Sequence, residues 1–167
     1  MTRRSARFVL SCHVVCFVLA TLLVGCGNSP QLSRADAASR YLRLVEPANA
    51  AADRFGRAIG ARPLRVPALH DATNRFDDAM QTLDEGLAST HWPDTVRGEV
   101  SDLLASDKHL VSLLRGLEKA GTAAEVVAWE QRSQHDVLIT ISTVGHASEA
   151  VRIKLGLPPS RSSSATS

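Results

Sequence analysis

Four apolar stripes at helical spacing, each bounded by glycine, proline or a capping residue, constrain this chain more than any other feature. Tyr41, Val45, Ala48, Ala52, Phe55 and Ile59 recur at alternating intervals of four and three, the repeat that places side chains on one face of an α-helix. A second stripe runs through Leu69, Thr73, Phe76, Met80, Leu83 and Leu87, and a third through Val96, Val100, Leu103, Leu110, Leu114 and Leu117. The fourth collects Val126, Val137, Ile141, Val144, Ala147, Val151 and Leu155. The punctuation predicts helices over 33–59, 67–89, 93–121 and 122–156. Ser33 with Asp36 reads as an N-cap, and Thr122 with Glu125 as a capping box. Gly121 and Gly156 stand where helix C-caps need left-handed backbone. Pro47 lies inside the first stripe and predicts a kink over 43–47, since proline removes a backbone donor and crowds the preceding turn. The run 137–144 is rich in β-branched residues, but it has no partner strand and keeps the helical repeat. The expected fold is all-α, an up-down-up-down antiparallel four-helix bundle over 33–157.

Ahead of that domain stand Arg3, Arg4 and Arg7 with no acid, then the apolar run 8–24, then Leu23-Val24-Gly25-Cys26. A cationic start, an apolar middle and small residues at a cleavage point are the parts of a secretory signal. Leu23, Val24, Gly25 and Cys26 resemble the lipobox of bacterial prolipoproteins. That resemblance implies cleavage before Cys26, a diacylglycerol on its thiol, and residence at the outer face of the cytoplasmic membrane. Two or more acyl chains hold a protein stably where one is marginal. The alternative is an uncleaved transmembrane helix over 8–24, just long enough to span; it also leaves the rest of the chain outside. Residues 27–32 read as a tether and 158–167, rich in proline and serine, as a disordered tail.

Of the three cysteines, Cys12 and Cys16 fall in the signal and Cys26 is taken by lipid, so no disulfide framework is expected. Removing 1–25 discards three of the 19 Lys+Arg and none of the 17 Asp+Glu, leaving a net charge of −1. The basic balance of the full chain therefore belongs to the signal, and no nucleic-acid footprint remains. Beyond residue 25 the aromatics are Tyr41, Phe55, Phe76, Trp92 and Trp129, few for a sugar-gripping surface. The lipobox, the short tether, the Tyr41-Val45-Pro47-Asn49 run and the Trp92-Pro93 helix start together resemble small actinobacterial lipoproteins. That resemblance transfers no functional residue beyond Cys26.

Candidate chemistry is sparse. His146 and Glu149 invert the Glu-x-x-His order that carboxylate-bridged metal bundles use, and His70, His91, His109, His135 and His146 are scattered. No metal site and no cofactor are therefore expected. Asp71, Asp78 and Glu85, with Asp77 and Asp84 beside them, are expected on the outer face of the second helix. No nucleophile elbow or phosphate loop occurs, so an enzyme is not expected. Asp107 is the exception, because it falls on the inner seam between Leu103 and Leu110. Burying a carboxylate demands a partner, and an antiparallel turn near Gly121 brings His135 to its level. An Asp107–His135 pair, or an arginine in place of the histidine, is expected to fix helix register. The leading functional expectation is a non-enzymatic, lipid-anchored envelope protein that binds a protein partner. The alternative is a carrier or sensor holding a lipid or other small ligand between helices, for which an enclosed cavity would speak; a metal-binding bundle is third.

Overall fold

The computed structural model describes residues 31–160, so the lipobox, Cys26 and most of the tail lie outside the described residues. Four helices make up the described part: α1 Arg34–Gly60, α2 Val66–Ser89, α3 Asp94–Glu118 and α4 Ala123–Leu155. No strand occurs among the described residues, and 137–144 is helical. None of these helices is long and apolar enough to cross a membrane.

Local chemistry explains the boundaries. The Ser33 hydroxyl accepts the Asp36 N–H, satisfying one of the free donors at the start of α1. At α4 the Thr122 side chain accepts from Glu125 N–H while the Glu125 carboxylate accepts from Thr122 N–H at 3.0 Å, a complete capping box. Gly156 closes α4 in the left-handed conformation at φ 74°, where a Cβ would be strained and would also crowd the Arg34 guanidinium. Gly121 does not cap α3 in that way. The helix stops at Glu118, and Gly121 instead donates its N–H to the Glu125 carboxylate at 2.7 Å. α1 continues without a break through Pro47; Pro47 and Arg43, whose carbonyl the proline leaves without its helical donor, are both exposed residues.

Packing is tight within the two hairpins, α1 with α2 and α3 with α4, and looser between α2 and α3. α1 and α4 touch over only a short stretch. One end of the bundle is closed by Tyr41, Leu87, Trp92, Val96, Val151 and Leu155, all buried. There the Leu32 N–H donates to His91 O at 3.2 Å, Lys154 pairs with Glu99 at 3.3 Å, and the Trp92 indole donates to Leu87 O at 2.7 Å. At the other end the His70 ring meets Ala120 O at 2.9 Å, tying α2 to the turn after α3. The second and third stripes are buried throughout, as amphipathic bundle helices require. The first and fourth are not. Val45, Phe55 and Ile59 on α1 are half-buried and Ala52 is exposed, while on α4 Val137 and Val144 are half-buried and Ile141 is 52 % exposed. These two apolar faces look toward each other without closing.

Candidate functional site

The gap between α1 and α4 is a cavity of about 590 Å³, within the usual size range of small-molecule sites. α1 contributes Tyr41, Val45, Ala48, Ala52, Phe55 and Ile59, which is the whole of its predicted stripe. α2 supplies Phe76, Met80 and Leu83, and α3 supplies Leu103, Asp107, Leu110 and Leu114. α4 lines the remaining wall with Trp129, Val137, Ile141 and Val144 among others. Phe55 and Phe76 stack across the α1–α2 seam with centroids 5.8 Å apart. Gly116 lets the Trp129 indole lie directly against α3, where an added Cβ would come within 2.6 Å of the indole nitrogen.

At one end the cavity is latched. The Tyr41 hydroxyl and the Ser148 hydroxyl are 2.8 Å apart, joining α1 to α4 across the gap. Burial pushes the Tyr41 pKa up, and the bond to Ser148 partly opposes this. The polar side chains Asn49, Glu130 and Gln134 line the cavity but are solvent-exposed, so they form its rim.

Asp107 is the buried polar group of the cavity. Its residue surface is 1 % exposed, and neither carboxylate oxygen has a hydrogen-bond partner. Burial, reinforced by the nearby charge of Asp84, pushes its pKa up to about 7. The expected Asp107–His135 pair does not form, and no arginine takes the histidine's place: His135 is exposed, and Asp107 engages in no ion pair. The reason is angular. Each residue advances about 100° around a helix, so His135 lies about 200° from Val137 and must point outward once Val137 faces in. Asp84 departs from expectation too. Rather than standing on the outer face with Asp71, Asp78 and Glu85, it is half-buried, as Asp77 is; its Oδ1 is unpartnered, and burial raises its pKa despite Lys108 nearby.

Trp129 and Ser148 are among the cavity-lining residues outside the four stripes. Trp129 follows Val126 by three residues, the same step that joins stripe members elsewhere, so the sequence carries a signal for it. Ser148, the α4 half of the latch, has no local signal; its role depends on the tyrosine 107 positions earlier. Among the described histidines, only His70 is held inside the fold, and His91, His109, His135 and His146 are exposed. Among the described residues no three His, Cys, Asp or Glu side chains gather as a metal site would require. Glu149 pairs with Arg152 at 3.9 Å rather than with His146. Comparison of the chain with protein-family models, with curated proteins and with solved structures gave no match.

Proposed function

We propose that this bundle is a carrier or sensor that holds an apolar small molecule between α1 and α4, and that it is not an enzyme. The observation that carries this reading is the cavity of about 590 Å³ walled by the apolar faces of all four helices. Facing stripes in a bundle normally close on each other at interior packing density, so a gap of this size leaves room for an occupant. Its apolar lining with a few polar groups is the pattern of small-molecule sites. The test is fluorescence of diphenylhexatriene, a neutral hydrocarbon that brightens in apolar surroundings. The wild-type protein is expected to bind it, and Ala52→Trp, which fills the gap from α1, is expected to weaken binding at least about tenfold. Equal binding by both proteins, or none by the wild type, overturns the reading.

The same proposal places the bundle at the outer face of the cytoplasmic membrane, anchored by diacylglycerol on Cys26, as a member of the small actinobacterial lipoproteins it resembles. A short tether would hold it at high effective concentration near other envelope components. The protein-partner reading keeps one observation in its favour. Ile139 and Ile153 of α4 are 52 % and 64 % exposed and lie outside the cavity lining, and exposed apolar side chains of this size suit a docking face.

A further inference from the structure

Resting on the reading of the gap as a ligand site, we propose that its occupant is a lipophilic amine, with an apolar body between α1 and α4 and a protonated nitrogen on the Asp107 carboxylate. Two independent observations converge on this chemistry. First, Asp107 is 1 % exposed, lines the cavity, and has both oxygens without a hydrogen-bond partner. Buried polar groups in native proteins almost always find a partner, and here the protein supplies none; both oxygens are closed off from the empty cavity, so a ligand donor reaches them once the Asp107 side chain turns toward it. Second, the charge around the cavity has one sign. Its only charged lining residues are Asp107 and Glu130, with neither lysine nor arginine among them. Asp84 of α2 stands close enough to Asp107 to add to the negative potential, and its own Oδ1 is buried and unpartnered. A fatty acid would meet only acids in this cavity. An alcohol would satisfy one acceptor but leave the charge uncompensated. An ammonium does both, and a hydrogen bond between ionised groups is about twice as strong as a neutral one.

The ionisable groups near Asp107 are Tyr41 of α1 and Asp84 of α2, with Lys108 beside it on α3 near Asp84, and Glu130 of α4 lines the same cavity. No histidine lines the cavity.

The experiment is displacement of diphenylhexatriene from the full chain by dodecylamine, dodecanol and dodecanoate, which share one chain length and differ at the head. Dodecylamine is expected to displace the probe at concentrations about tenfold lower than dodecanol at pH 8, with dodecanoate the weakest. Asp107→Asn should still bind the probe while bringing amine and alcohol within about threefold of each other. Between pH 6 and pH 8 the amine should gain on the alcohol, because below about 7 the carboxyl must first give up its proton. Equal displacement by amine and alcohol in the wild type overturns the amine assignment and leaves the cavity reading standing. A preference that survives in Asp107→Asn, or dodecanoate as the best competitor, also overturns it. If the wild type fails to bind the probe at all, both readings fall.

Discussion

Asp107 sets the pH behaviour of the fold. Its pKa is about 7 in the folded protein against an ordinary value of 3.8, so between these values the folded state holds a proton that the unfolded chain has released. Stability therefore falls as pH rises through this window and levels off above about 7. The full difference amounts to about 4 kcal/mol as an upper bound. Asp84, raised in the same direction, adds to the slope with the same sign. The urea midpoint of the empty protein should accordingly be higher at pH 5 than at pH 8, and Asp107→Asn should flatten most of that dependence and stabilise the protein at pH 8. A wild-type midpoint unchanged across this range would show that the carboxyl is hydrated. Asp107 was legible in the sequence as an inner-seam residue because the Leu103–Leu110 heptad brackets it. Its lack of a partner was not. Pairing by level along two antiparallel helices gives no account of which way each side chain points, and Val137 already assigned the inward direction on α4.

At the scale of helices, α1 and α4 depend on one another through the Tyr41–Ser148 bond at 2.8 Å. Tyr41 is fully buried, so Tyr41→Phe keeps the ring in place and removes only the hydroxyl. The expected loss is about 1 kcal/mol, read as a lower urea midpoint. Faster amide exchange should appear in the first half of α1 and the last third of α4, and not in α2 or α3. Uniform loss of protection across all four helices would mean that the bond contributes nothing local. Helix positions and caps were readable because they rest on local rules: Ser33 over Asp36, Thr122 with Glu125, Gly156 in left-handed backbone. The gap was not readable. A stripe such as Val45-Ala48-Ala52-Phe55 says which face of α1 is apolar and says nothing of how far away the opposing face stands. The Gly121 cap failed for a related reason, since the Glu125 carboxylate claimed that backbone N–H and the turn took another path.

For the molecule as a whole, the proposed membrane attachment and the proposed ligand binding fall to separate parts of the chain. The four helices, none able to span a membrane, carry the cavity, and Cys26 precedes them by a few residues. Cys26→Ala should therefore move the protein from the membrane fraction to the soluble fraction while diphenylhexatriene binding stays unchanged. Persistent membrane association with no lipid mass on the native protein would defeat the anchoring proposal. The two tryptophans also divide along this line. Trp92 is sealed at the closed end with its indole bonded to Leu87 O, whereas Trp129 forms part of the cavity wall. The protein thus contains two native optical reporters in unlike surroundings, one placed to answer to a molecule entering the proposed site and the other to loss of the folded state. Filling and melting can be followed separately in a single emission spectrum, with no label attached.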